Sequence, residues 1–220
     1  MIIAIDGPAA SGKSTAAIGV AKRLGITYLD TGAMYRAVTF GLIEQNVEFE
    51  NSTIIENFLE KIDIKFSESS SKVLLILNGR DVTKEIRSEI VTNKVSEVSA
   101  MKSVRKSMVL IQRKMAKVDD CILEGRDIGT VVFPNADFKF FLIADEKARA
   151  ERRSEDLKAI GEQSSIDKVM MDLKNRDYKD STRIHSPLKK SNDAVIIDTS
   201  DIGINEVIDK IVTIVNHKGH

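Results

Sequence analysis

Two sets of residues in this chain carry chemistry in their type and spacing. The first is the stretch "GPAASGKST", in which Gly7, Pro8, Ala9, Ala10, Ser11, Gly12, Lys13 and Ser14 follow the spacing G-x-x-x-x-G-K-S, with Thr15 directly after. Glycine at both ends lets the backbone take positive φ and approach a ligand without a Cβ in the way. Successive N–H groups can then cradle phosphate oxygens, helped by the positive end of the helix that follows. Lys13 would reach the β- and γ-phosphates, and the Ser14 hydroxyl would sit on Mg²⁺. A plain glycine-rich turn is the alternative, and the flanks argue against it. A short β-branched run precedes the loop, and Ala17, Val20, Ala21 and Leu24 after it fall on one helical face.

The second set is a series of arginines, several beside aspartates. In "EGRDIGTVVFP", Arg126 and Asp127 lie between Gly125 and Gly129 after an apolar run. A salt bridge would explain one charge but not the glycines, and the end of a strand favours ligand contact. Arg149, Arg152 and Arg153 occupy i, i+3 and i+4 of one helical pattern. Like charges at that spacing repel, so they are either compensated by Glu146, Glu151 and Glu155 or held for a phosphoryl group. Arg176, Asp180 and Arg183 continue at i, i+4 and i+7, as an ion-paired helix or as part of a lid over phosphates. Thr31, between a strand and a helix, is either an N-cap or a ligand contact, and Arg36 follows one and a half turns later. Histidines occur only at 185, 217 and 220, so neither a metal cage nor a histidine base is expected, and Mg²⁺ would arrive with the nucleotide.

These groups need a scaffold that brings strand ends to one edge. Strands are expected at residues 2–5, 26–30, 121–125, 138–144 and 194–198. Helical patterns occupy 33–46, 102–117, 146–159, 164–179 and 204–216. Their alternation indicates an α/β fold with a mainly parallel sheet, whose ligands bind outside the carboxyl ends of the strands. Residues 62–79 break the rhythm as two strands joined by the serine-rich turn "SESSSK", with a helical stretch at 87–100. An antiparallel hairpin inside a parallel chain reads as an inserted subdomain, placed at 61–100.

The 220 residues suffice for one sizeable core. Thirty-three basic and thirty-three acidic residues cancel, so no global charge points to nucleic acid or a membrane surface. No apolar run approaches a membrane span, and Asp6 ends the first apolar stretch too early for a signal peptide. The single cysteine, Cys121, lies in an apolar run and suits a reducing, cytoplasmic setting as a buried strand residue. Monomer and weak dimer are both open.

Taken together, "IDGPAASGKST", "YLDTGAMYRA", "LNGRDVTKEIRSEIVTNKVS", "EGRDIGTVVFPNADFKFFL" and "NRDYKDSTR" resemble the bacterial cytidylate kinases over most of the chain. The phosphate loop is common to many NTPases, whereas "DTGAMYRA" and "GRDIGTVVFP" are more specific. The resemblance implies a single P-loop nucleoside-monophosphate-kinase domain over 1–220. Its expected parts are a parallel sheet flanked by helices, an inserted nucleotide-monophosphate subdomain containing antiparallel β-structure, and a helical lid at 149–183. It further implies Mg²⁺-dependent transfer of the ATP γ-phosphoryl group to CMP or dCMP. Residues 7–15 would hold the ATP phosphates; Thr31, Arg36 and Arg126, helped by Arg183, would hold the acceptor phosphate. Ser96, Arg105 and Asp127 would meet the cytosine edge, and Asp180, supported by Arg176, the sugar hydroxyls. Lys13, Arg126, Arg152 and Arg176 would act on the transferring group. Glu124 stands where many relatives have aspartate, which bears on the magnesium shell.

Two other readings compete. A GTPase-like switch would need N-K-x-D, and the nearest string, Asn93-Lys94-Val95-Ser96, lacks the aspartate. A kinase for another small acceptor, such as UMP or shikimate, differs only in what it phosphorylates.

Overall fold

The computed structural model describes residues 1–69, 72–159 and 161–218. In chain order the elements are β1 (Ile2–Asp6), α1 (Lys13–Leu24), β2 (Thr27–Asp30), α2 (Thr31–Glu44), α3 (Ser52–Lys61), β3 (Ile64–Ser69), β4 (Lys72–Leu77) and β5 (Arg80–Asp81). They continue with α4 (Glu89–Ala100), α5 (Lys102–Met115), β6 (Cys121–Gly125), β7 (Phe138–Ile143), α6 (Glu146–Ala159), α7 (Ile166–Thr182), β8 (Val195–Asp198) and α8 (Ile204–Lys218). The chain divides into two units, Met1–Tyr28 with Ala116–His220, and Leu29–Met115.

A five-stranded sheet runs in the order β2-β6-β1-β7-β8, with β6, β1, β7 and β8 in the first unit. β6, β1, β7 and β8 run parallel. Ile3, Ala4 and Ile5 are fully buried, as a central strand covered on both faces requires. Helices α1 and α8 pack closely: a Cβ on Gly19 would lie 2.2 Å from Ile208 Cδ1. The core joins Ile3, Ile5, Val20, Ile122, Phe140, Leu142 and Ile211. Each of the large side chains among them contributes about 1.5–3 kcal/mol through burial. β1 and β6 end in register, Asp6 opposite Gly125. The phosphate loop and the Arg126–Asp127 pair therefore leave the sheet at the same edge.

The second unit packs α2, α3, α4 and α5 with an antiparallel sheet β3-β4-β5 around Met34, Val38, Leu42, Phe58, Leu75, Val98 and Met108. The expected hairpin forms as β3 and β4, paired from Ile64 with Leu77 to Ser69 with Lys72. Two of the residues in the serine-rich turn, 70 and 71, lie outside the described residues, as do 160, 219 and 220, the last being a histidine.

Two elements here go beyond the sequence expectation. β5 follows a turn at Asn78 and Gly79, both at positive φ (50° and 85°), the conformation that Asn-Gly favours in two-residue hairpins. Helix α3 is capped by the Asn51 side chain, which accepts from Ile54 N at 3.1 Å, and it buries Ile55, Phe58 and Leu59. Ile55, Phe58 and Leu59 fall at i, i+3 and i+4, the apolar face of a helix, so this element carried a helical signature that the expected elements did not include.

Candidate active site

The phosphate loop is shaped by close approach. A Cβ on Gly7 would lie 2.2 Å from Leu142 O, so no other residue fits there without displacing β7. Ala10 sits in the left-handed region at φ 58°, at a cost of about 1–2 kcal/mol for a residue with a Cβ. Gly12, at φ 83°, is the N-cap of α1 and brings no capping side chain to its first turn. That is the arrangement an anion needs at a helix N-terminus. Lys13 folds back over the loop, donating to Pro8 O at 2.5 Å and to Ser11 Oγ at 3.4 Å. Ser14 and Thr15 follow as exposed residues of the first turn.

Cations from two other segments converge on Lys13. Its ammonium is pushed down to about 7, first by burial and then by Arg126 and Arg176, with Glu124 and Asp177 opposing. Arg126 Nε donates to Asp180 Oδ2 at 2.9 Å, and its Nη1 donates to Gly125 O at 3.3 Å. Arg176 is lowered to about 10 by burial and then by Arg126. Its Nε is buried with no hydrogen-bond partner among the described residues. Burial works to raise the pKa of Asp180, but Arg126, Arg176 and Arg183 outweigh it and hold the carboxyl below its usual range. Arg183 closes the group, 3.8 Å from Asp180 and 3.6 Å from Asp127. Arg126, Asp127, Arg176, Asp180 and Arg183, separated in sequence, therefore form one cluster beside Lys13.

The three arginines of α6 part company. Arg149 pairs with Asp177 and donates to Ala9 O at 3.2 Å. Arg152 Nη1 donates to Thr199 Oγ1 at 3.0 Å, and Nη2 donates to Thr199 O. Arg152 also borders the loop, its Nη1 3.9 Å from where a Gly12 Cβ would be. Arg153 is half-buried, has no hydrogen bond or ion pair among the described residues, and is close enough to help lower Arg176.

Four more groups complete this region; of these, the sequence drew attention only to Glu124. Asp6 ends β1 and accepts from Ile128 N at 2.8 Å and Gly129 N at 2.7 Å. It thereby anchors the π-helical turn Ile128–Val132 that follows Arg126 and Asp127. Burial raises Asp6 to about 6, only partly offset by those two amides. Glu124 accepts from Tyr28 OH at 2.6 Å. Asp177 accepts from Ala9 N at 3.0 Å, and Thr199 Oγ1 donates to Ser11 O at 3.2 Å. An aspartate just before a phosphate loop was the one local hint; the others depend on contacts far apart in sequence.

In the second unit, the N-cap of α2 is Asp30, which accepts from Ala33 N at 2.8 Å. Capping is therefore not the duty of Thr31, which is buried as the first residue of the helix. Arg36 Nη1 donates to Thr92 Oγ1 at 2.9 Å and to Ile86 O at 3.3 Å, tying α2 to α4. Arg105, on α5 and 4% exposed, lies over the Tyr35 ring at 4.8 Å and donates to Ser99 O at 3.3 Å. Ser96, half-buried, accepts through its carbonyl from Ser99 Oγ at 3.2 Å. The four expected residues of this unit thus sit on three mutually bonded helices.

Among the described residues, no three His, Cys, Asp or Glu groups gather as a metal cage. No helix among them is long and apolar enough to cross a membrane. Cys121 is a free, buried thiol, pushed up to about 11 by burial.

The family profile "Cytidylate kinase" matches residues 3–217. A cytidylate kinase of Carboxydothermus hydrogenoformans is 46% identical over 99% of this chain and 98% of its own length. One of Lactobacillus johnsonii is 44% identical over 99% and 95%. Among solved structures, an uncharacterized protein of Eubacterium ventriosum aligns at TM-score 0.54 with 13% identity, covering 98% of each chain. A gluconokinase of Sinorhizobium meliloti aligns at 0.51 with 10% identity, covering 99% of this chain and 97% of its own. These two likenesses speak for the fold alone. The sequence matches go further: the chain belongs to the cytidylate kinase family.

Proposed function

We propose that this protein transfers the γ-phosphoryl group of ATP to CMP or dCMP, giving the diphosphate and ADP. The observation that carries the reading is the convergence of Arg126 and Arg176 on the buried Lys13 beside the phosphate loop. Phosphoryl transfer asks for positioning and charge neutralisation, and the acceptor phosphate supplies its own ionised nucleophile. A site rich in arginine and without histidine meets that requirement, because the planar guanidinium can bind two phosphate oxygens at once.

In this reading residues 7–15 hold the donor phosphates, and Lys13, Arg126, Arg152 and Arg176 follow the charge of the moving group. Thr31, Arg36, Arg126 and Arg183 hold the acceptor phosphate. Ser96, Arg105 and Asp127 read cytosine, and Asp180, with Arg176, takes the sugar hydroxyls. Residues 61–100 would be the acceptor-binding insertion and 149–183 the lid. The donor set fits Mg²⁺: Ser14 offers one exposed hydroxyl, and this ion keeps waters and phosphate oxygens rather than an all-protein cage. Bound with ATP, Mg²⁺ would neutralise phosphate charge. A cytoplasmic monomer or weak dimer, acting on nucleotides and not on nucleic acid or membranes, completes the reading.

The test is ADP release from ATP and Mg²⁺ across nucleoside monophosphates and shikimate. CMP and dCMP should drive turnover well above UMP. Acceptor-independent release would point to a switch protein, and a preference for UMP or shikimate would overturn the substrate assignment.

A further inference from the structure

We propose that Arg149 and Asp177 are positioning residues that hold the Ala9–Ala10 corner of the phosphate loop in its binding conformation. This rests on the reading that residues 7–15 hold the donor phosphates. Asp177 Oδ1 accepts from Ala9 N at 3.0 Å, Arg149 Nη1 donates to Ala9 O at 3.2 Å, and the two side chains pair with each other. Both polar groups of Ala9 are therefore fixed by one ion pair. Its exposure is low, 10% for the Arg149 side chain and 18% for that of Asp177. The Ala9 methyl adds a second hold, packing with Ala150, Val169 and Leu173, with Ala10, Leu157 and Met170 alongside.

The consequence falls on Ala10, whose φ of 58° is unfavourable for any residue with a Cβ. Left to itself, Ala10 would relax to negative φ by rotating the peptide that joins it to Ala9. Arg149 holds the carbonyl of that same peptide. In a planar trans peptide the N–H points opposite to the C=O. Fixing Ala9 O toward Arg149 therefore aims Ala10 N–H away from it, free to serve the loop's anion. A flipped peptide would instead present a carbonyl oxygen to phosphate. Ala9 N–H, taken by Asp177, stands outside the set of phosphate donors.

The decisive experiment compares Arg149→Met, Asp177→Asn and each of these combined with Ala10→Gly. Steady-state constants for ATP and CMP would be read together with direct ATP affinity by calorimetry. Arg149→Met should weaken ATP binding about tenfold or more and leave KM for CMP within about twofold. Ala10→Gly should recover at least half of that loss on a logarithmic scale, because glycine takes positive φ at no steric cost. A role in stability alone predicts no such rescue. Should Arg149→Met not fold, Asp177→Asn carries the test, since it keeps an acceptor oxygen for Ala9 N–H while removing the charge that orients Arg149. It should weaken ATP severalfold, again recovered by Ala10→Gly. ATP affinity unchanged in the folded single variants, or no recovery in the doubles, would overturn the proposal. Failure of the functional reading looks different: a wild type that binds ATP but forms no CMP-dependent ADP, with the affinity series still judging the loop.

Discussion

Arg126 Nε and Asp180 Oδ2 meet at 2.9 Å across 54 positions of sequence, joining the end of β6 to the last turn of α7. The pair is largely withdrawn from water, with side-chain exposures of 17% and 8%. Replacing Asp180 by Ala removes both a partner of Arg126 and the proposed acceptor for sugar hydroxyls. KM for CMP should rise about tenfold or more, as expected for a lost hydrogen bond to a charged group, with KM for ATP within about twofold. Asp180→Asn, which still offers an oxygen to Arg126, should fall between. A rise confined to KM for ATP would move Asp180 to the donor side of the reaction.

Lys13, held near 7 by burial and by Arg126 and Arg176, makes nucleotide binding sensitive to pH. Triphosphate beside its ammonium favours the charged form and draws the pKa back up. Above pH 7, binding therefore takes up a proton, and ATP affinity falls as pH rises, by up to about tenfold per unit. Calorimetry at pH 8 in buffers of different ionisation enthalpy should register that uptake, approaching one proton per site. Lys13→Met should abolish it and cut kcat far more than it changes KM for CMP. Near-normal kcat in that variant would remove Lys13 from the mechanism.

Asp6 offers two carboxylate oxygens to two amides, Ile128 N and Gly129 N. Asparagine can satisfy only one and turns an N–H toward the other, so Asp6→Asn should cost about 1–3 kcal/mol of stability in urea unfolding at pH 7. The pH dependence has a definite sign. With a folded pKa of about 6 against 3.8, the folded protein binds more protons than the unfolded chain across that window. The contribution of Asp6 is fully present below 3.8 and is lost as pH rises through 6. The wild-type advantage over Asp6→Asn should therefore narrow between about pH 4 and 6; a constant gap would show that Asp6 titrates normally.

Asp127, 3% exposed and 3.6 Å from the Arg183 guanidinium, can only accept hydrogen bonds while ionised. In the proposed reading it would accept from the cytosine amino group and repel the uracil O4, while Arg105, a pure donor, would suit N3 and O2 of cytosine. Each mispaired group should cost about 1–3 kcal/mol, which allows discrimination of a hundredfold or more. Asp127→Asn should shrink the CMP-over-UMP ratio of kcat/KM, chiefly by losing CMP activity. An unchanged ratio would mean that cytosine is read elsewhere.

Local order along the chain was enough for the phosphate loop, the strand–loop–helix around it and the strand-end position of Arg126 and Asp127. The spacing of Arg176, Asp180 and Arg183 likewise put them together where α7 ends. Each of these is a short-range pattern: the turn that glycine permits, the period of a helix, the alternation of strands and helices. The second unit was legible in its hairpin, and α3 was legible too, in the i, i+3, i+4 spacing of Ile55, Phe58 and Leu59, though it was not among the expected elements. The α6 arginines mark where such patterns stop. Spacing groups Arg149, Arg152 and Arg153 as one cationic face. Tertiary structure gives Arg149 to Asp177 and the Ala9 backbone, Arg152 to Thr199, and Arg153 neither a hydrogen bond nor an ion pair among the described residues. Asp6 reads as the end of an apolar run until the turn after β6, 122 residues on, delivers two amides to it. Periodicity fixes which way a side chain points relative to its own element, whereas its partner is set by which other segment packs there. Only the assembled sheet and its covering helices decide that.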